Sequence, residues 1–128
     1  MLDLAIANYS GQLTDPSDDK ITILLGSGDG AFKPAPGSPF KSGSAPTNVA
    51  VGDINGDGIM DVAAGNYGSN NVTILLGGRR GLEPTPDSPI PVGQKPSSIA
   101  IGDLNGDGKA DIVTANSQDN DVSVLLTK

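Results

Sequence analysis

Val49-Ala50-Val51-Gly52-Asp53-Ile54-Asn55-Gly56-Asp57-Gly58 returns fifty residues later as Ile99-Ala100-Ile101-Gly102-Asp103-Leu104-Asn105-Gly106-Asp107-Gly108. Each copy is completed by one more aspartate, Asp61 or Asp111. The echo continues on both sides. Pro34, Pro36, Ser38, Pro39, Gly43 and Pro46 match Pro84, Pro86, Ser88, Pro89, Gly93 and Pro96. Downstream, Val72-Thr73-Ile74-Leu75-Leu76 matches Val122-Ser123-Val124-Leu125-Leu126. A period of this size marks a repeat architecture, in which each unit buries its apolar face against the next.

A third, shortened copy stands first. Asp3-Leu4-Ala5-Ile6-Ala7-Asn8-Tyr9 aligns with Asp61-Val62-Ala63-Ala64-Gly65-Asn66-Tyr67, and Ile21 to Gly26 aligns with Val72 to Gly77. The distance between these two blocks is seven residues longer in the first copy, so an insertion is expected within 10–19. Within each unit the strand signals are short and separated by Gly, Pro, Asn and Asp. The second unit shows them most fully. Strand one is expected at 48–52, strand two at 61–66, strand three at 72–76 and a short strand four near 90–92. Strand three is apolar almost throughout, as in strands covered on both faces. Four strands at this period suit a blade of a β-propeller. The fold is therefore expected to be all-β, with about 2.5–3 blades of four antiparallel strands in this chain, ten strands in all.

The expected blades are 1–46, lacking its first strand; 47–96, complete; and 97–128, lacking its fourth. Propellers close with about four to eight blades. Too few blades for a ring implies a piece of a larger propeller or a homo-oligomer. Either way, apolar blade faces at the two ends call for a cover.

Composition narrows the chemistry. The 128 residues contain 18 Gly and 10 Pro, which disfavours long helices. Cysteine and histidine are absent, which removes thiol nucleophiles, zinc–sulfur sites and His-based triads. Tryptophan is absent, and the aromatics are Tyr9, Phe32, Phe40 and Tyr67, too few for base-stacking nucleic-acid platforms. A net charge of −7 repels phosphate backbones and anionic lipid. No apolar run reaches the length of a membrane span, and no export signal is visible at Met1-Leu2-Asp3.

Six of the 15 acidic residues fall in the two windows 53–61 and 103–111. Such crowding is costly unless a cation relieves it. Asp53, Asn55, Asp57 and Asp61 supply side-chain oxygens at loop positions 1, 3, 5 and 9, and Asp103, Asn105, Asp107 and Asp111 repeat them. The backbone carbonyl at position 7, of Ile59 or Lys109, would add one more. An all-oxygen set favours Ca²⁺, at two sites, over transition metals or Mg²⁺. The first nine positions follow the EF-hand pattern, but position 12 is Ala64 or Thr114 instead of a bidentate Glu, and the flanks are strand-like. The loop is thus expected to join strands one and two as a hairpin, closed by Asp61 or Asp111. Asp3 fills the same slot without a loop before it and is expected to be a remnant rather than a site.

These residues resemble the FG-GAP/VCBS repeat family, the calcium-binding blades of integrin-α-like propellers. The matching elements are the two D-x-N-x-D-G-x-x-D loops, the preceding Ala-Val-Gly and Ala-Ile-Gly, and the Gly30-Ala31-Phe32 and Gly81-Leu82 spacers. The resemblance implies an extracellular or cell-surface, non-catalytic module for adhesion or scaffolding, with a protein or glycan partner. A lectin-type propeller is the alternative, weakened by the absence of Trp. An enzyme using paired aspartates, as in glycoside hydrolysis, conflicts with their metal-ligand spacing. Strand alternation puts the insertion at 10–19 on the face opposite the metal loops, with Tyr9, Tyr67 and 66–71 as surface candidates and polar rim as their plainer role. Asn8 and Asn71 begin Asn-x-Ser/Thr triplets that matter only in a glycosylating host.

Overall fold

A computed structural model describes residues 3–11 and 19–128. Residues 12–18, most of the expected insertion, lie outside the described residues. The strands are β1 (Leu4–Asn8), β2 (Lys20–Gly26), β3 (Phe32–Pro34), β4 (Phe40–Lys41), β5 (Pro46–Gly52), β6 (Asp61–Asn66), β7 (Asn71–Leu76), β8 (Glu83–Pro84), β9 (Ile90–Pro91), β10 (Pro96–Gly102), β11 (Asp111–Asn116) and β12 (Asp121–Leu125). No helix occurs among the described residues. All pairings are antiparallel, in three sheets: β1-β2 with β3 and β4, β5-β6-β7 with β8 and β9, and β10-β11-β12. These are the all-β blades that the repeat implies.

Strand four differs from expectation. It is one strand in the reading of the sequence and two fragments in the structure, β3 with β4 and β8 with β9, both pairing with strand three. Proline explains the break. Pro34, Pro36 and Pro39, like Pro84, Pro86 and Pro89, have no N–H to donate to a ladder. A serine spans the gap: Ser38 Oγ accepts from the Ile23 N–H and Ser88 Oγ from the Ile74 N–H, each at 2.9 Å. This split accounts for twelve strands among the described residues instead of ten.

The sheets stack face to face. Ile21 and Ile23 of the first sheet pack with Val62, Ala64 and Leu75 of the second. Ala63, Val72 and Ile74 of the second pack with Ile112 of the third, around Ile54. The middle sheet is covered on both sides, so every residue of β6 is buried. β12 carries the same apolar pattern as β7, yet Val122, Val124 and Leu126 are exposed, because no further sheet among the described residues covers them. At the other end, Leu4 and Ile6 are exposed where their counterparts Val62 and Ala64 are buried.

Each strand two is pinned at its end by an asparagine. Asn66 Nδ2 donates to Asn71 Oδ1 at 2.8 Å and Thr73 Oγ1 at 2.9 Å, and Asn116 Nδ2 donates to Asp121 Oδ1 and Ser123 Oγ. Asn8 Nδ2 repeats the bond to Thr22 Oγ1. Gly43 passes so close to this cluster that a Cβ there would run into Ser69 Oγ, Asn66 Nδ2 and Asn71 Oδ1.

Successive sheets are also joined through a polar side chain just before strand three. Asp19 Oδ2 accepts from the Ala45 N–H at 2.7 Å, and Asn70 Oδ1 accepts from the Lys95 N–H at 2.9 Å. Asp19 Oδ1 also accepts from the Ser10 N–H. Burial pushes the Asp19 carboxyl up, but the Ser10 and Ala45 N–H bonds and the charge of Lys20 outweigh it, so its pKa lies below the ordinary value. A pKa depressed by folding stabilises at pH above the unfolded value and loses that stabilisation as pH falls through the folded one. Asp19→Asn keeps one accepting oxygen, as Asn70 does, and should cost about 1 kcal/mol at neutral pH. Urea titrations of the two proteins should converge as pH drops below the ordinary carboxylate value of 3.8. Parallel pH curves would show that the charge plays no part.

Candidate functional site

The two metal-type loops connect β5 to β6 and β10 to β11, as hairpins between strands one and two. They fold alike because the same side chains bind the same backbone groups. Asp53 Oδ1 accepts from the N–H groups of Gly56 at 2.8 Å and Asp57 at 3.0 Å, and its Oδ2 accepts from Gly58 at 2.8 Å. Asn55 Oδ1 accepts from the Asp57 N–H, and Asp57 Oδ1 from the Ile59 N–H. Asn55 Nδ2 donates to Asp57 Oδ2 at 3.0 Å. Asp103, Asn105 and Asp107 repeat all six bonds with Gly106, Asp107, Gly108 and Lys109. The wrap needs left-handed backbone at Gly56 (φ 77°) and Gly58 (φ 83°), which glycine adopts at little cost.

The first three oxygen-bearing residues of each loop are therefore gathered on one exposed turn. The fourth is placed differently. Asp61 is fully buried. Its Oδ2 accepts from Ile54 N–H at 2.7 Å and Asn55 N–H at 3.3 Å, and its Oδ1 accepts from Gly77 N–H at 2.7 Å. Asp61 thus clasps the loop start to the end of strand three. Asp111, equally buried, does the same with Leu104 and Thr127. The Thr127 and Leu104 N–H bonds, in that order, hold its carboxyl below the ordinary range against the opposing effect of burial. Asp3, expected to be an idle remnant, accepts from the Gly26 N–H at 2.9 Å, and Gly26 is the counterpart of Gly77. The clasp is therefore present in all three sheets, whether or not a loop precedes it. Residue spacing did not reveal this second task. The signal that could have found it is the presence of Asp3 in a copy without the other loop donors.

The donor chemistry fits a hard cation, since every side-chain donor is a carboxylate or amide oxygen. Among the described residues, no three acidic side chains stand close enough to share one ion. The loop carboxylates are instead bound to their own backbone. Ile59 and Lys109 both occupy position 7 of the loop, and the carbon chain of Lys109 lies across Gly56 of the first loop. Of the other surface candidates, Tyr67 has the Lys95 ammonium 5.0 Å from its ring centre, and Tyr9 is half exposed. Both sit at the rim.

Comparison with known proteins agrees with the geometry. A family model described as FG-GAP-like repeat matches twice, over residues 1–64 and 55–114. Neither the curated proteins nor the solved structures include a match. The two matches together take in the first two sheets, both loops and β10, and on that ground the chain belongs to the FG-GAP-like repeat family.

Proposed function

We propose that the chain is a non-catalytic, calcium-binding propeller module that serves adhesion or scaffolding outside the cell. The observation that supports it is the duplicated wrap of the two loops, with oxygen donors of the same type in the same order. Asp53, Asn55, Asp57, the Ile59 carbonyl and Asp61 would hold one Ca²⁺; Asp103, Asn105, Asp107, the Lys109 carbonyl and Asp111 would hold the other. The ion supplies positive charge where the loops concentrate negative charge, and two ions would take the net charge from −7 to −3. The role is structural: metal that binds the folded hairpin and not the unfolded chain stabilises the fold. Extracellular modules bind at about 10⁻⁴–10⁻³ M, which suits a compartment rich in calcium. The partner is then a protein or glycan met at the exposed loops, as is usual where function sits on loops.

Calcium at ten times its dissociation constant should stabilise the fold by about 1.4 kcal/mol per site. Calorimetric melts in calcium, in magnesium and in EDTA test this. Asp57→Asn with Asp107→Asn should abolish the calcium shift while leaving the EDTA melt unchanged. A melt identical in calcium and EDTA for the parent chain would refute the reading.

A further inference from the structure

The second sheet departs from the first at the turn between strands three and four. Gly78-Arg79-Arg80-Gly81 joins β7 to β8, and the Gly81 N–H donates to the Gly78 carbonyl at 3.0 Å, so the two arginines stand at the corner of a tight turn. They are the only arginines in the chain. Neither has a hydrogen-bond or ion-pair partner among the described residues, although the chain holds 15 acidic residues against 8 basic ones. In the corresponding turn between β2 and β3 the first sheet has Asp29. Its carboxylate accepts from the Ser27 hydroxyl and the Ala31 N–H. The acid there closes its own turn, whereas the arginines hold nothing among the described residues.

Beside this turn lies a cavity of about 390 Å³ whose lining includes Arg79, Arg80, Glu83, Thr85, Leu76 and, from the first metal-type loop, Asn55. Thr85 is the second departure. Its backbone repeats that of Ala35. The Ala35 N–H donates to the Ile23 carbonyl at 2.9 Å and the Thr85 N–H to the Ile74 carbonyl at 3.2 Å, and the N–H groups of Ser38 and Ser88 donate to the carbonyls of Ala35 and Thr85. Only the side chain changes, from a methyl to one that carries a hydroxyl. The Thr85 hydroxyl is buried without a hydrogen-bond partner among the described residues, a state that costs free energy until an acceptor or donor meets it. Rotation about its Cα–Cβ bond can turn it to an acceptor in the cavity. Glu83 is the one acid on the lining, and the arginines outnumber it.

We infer that this cavity is a binding site for the carboxylate of an aspartate or glutamate side chain on an exposed loop of a protein partner. The inference rests on the protein-partner half of the reading above and not on its calcium half. A guanidinium fork matches a carboxylate through paired N–H bonds, and Thr85 adds a hydroxyl. Three observations choose among anions. A net charge of −7 repels a polyanion along its whole length, whereas a single carboxylate meets the local excess of positive charge. No aromatic side chain lines the cavity, so it offers no stacking platform for a base or a sugar ring. Leu76 gives the methylene carbons of an acidic side chain an apolar wall. Asp57, exposed on the neighbouring loop, disfavours further acids beside the first. The partner's carboxylate is therefore expected among neutral or basic neighbours.

The test uses the whole chain in buffer freed of metal on a chelating resin, because EDTA is itself a carboxylate. The probe is aspartate capped as its N-acetyl, N-methylamide derivative, and the asparagine equivalent is the control. In two-dimensional NMR spectra the side-chain Nε–H signals of Arg79 and Arg80 should move saturably with the aspartate probe and stay in place with the control. Arg79→Gln combined with Arg80→Gln should weaken binding, read at the Thr85 amide, by roughly tenfold or more. Thr85→Ala, which installs the residue of the first sheet, should weaken it severalfold without lowering the melt. Glu83→Gln should tighten it severalfold, because the one like charge is removed. Equal shifts with the asparagine control, no response to Glu83→Gln, or tighter binding of a sulfated heparin disaccharide than of the aspartate probe would overturn the inference. Loss of the calcium shift in the melts, with the aspartate response intact, would refute the metal reading alone.

Discussion

Asp61→Ala should lower the unfolding free energy by about 4 kcal/mol in metal-free buffer, whereas Asp57→Ala should cost less than about 1 kcal/mol there. Hydrogen bonds to a charged group contribute about 1.5–3 kcal/mol each, and stranded buried donors add their desolvation. Asp61 is fully buried and satisfies three backbone N–H groups, on Ile54, Asn55 and Gly77. Its loss frees the hairpin at one end and the close of strand three at the other. Asp57 accepts one backbone bond on an exposed turn, where water replaces it readily. Urea unfolding in EDTA separates the two residues, although they are candidate ligands of one ion. In saturating calcium both variants should lose the metal's contribution as well, so the gap between them should stay the same while both losses grow. Equal losses for both variants in EDTA would show that Asp61 has no role apart from the metal.

The second large effect comes from one repeat position in two settings. Val72 is 0% exposed and Val122, fifty residues on, is 63% exposed. Val72→Asp places a carboxylate between two sheets with no partner, in a cluster of Ala63, Ile74 and Ile112. Several kcal/mol, about 4, should be lost, a large fraction of an ordinary domain's stability. Val122→Asp should change stability by no more than about 0.5 kcal/mol, the range for exposed sites. Circular dichroism and a urea curve on each variant decide it. A costly Val122→Asp would mean that β12 is covered in solution.

The sequence carried much of this arrangement. The limits of strand two were readable because an aspartate opens it and an asparagine closes it in every copy, and both side chains prove to be pins. The hairpin nature of the loops followed from the Gly-rich flanks and the missing Glu at position 12. The two-piece strand four was not readable, because proline excludes ladder bonds without saying which neighbour takes over. The Ser38 and Ser88 hydroxyls do so by tertiary contact. The clasp was hidden for a related reason. Its decisive bond runs from Asp61 to Gly77, sixteen residues away, and a glycine N–H leaves no trace in a pattern of side chains. The contrast between β7 and β12 was equally invisible along the chain, since near-identical apolar strings are buried or bare according to what stands beside them.

The two bare ends are not alike. One offers Leu4 and Ile6 from strand two; the other offers Val122 and Val124 from strand three. These are the opposite halves of a single mating surface, met already between consecutive sheets. Contact between copies that repeated this packing would be polar in direction, tail onto head, and would not produce a twofold pair. Such growth has two outcomes, a closed ring or an endless fibre, and the turn from one sheet to the next selects between them.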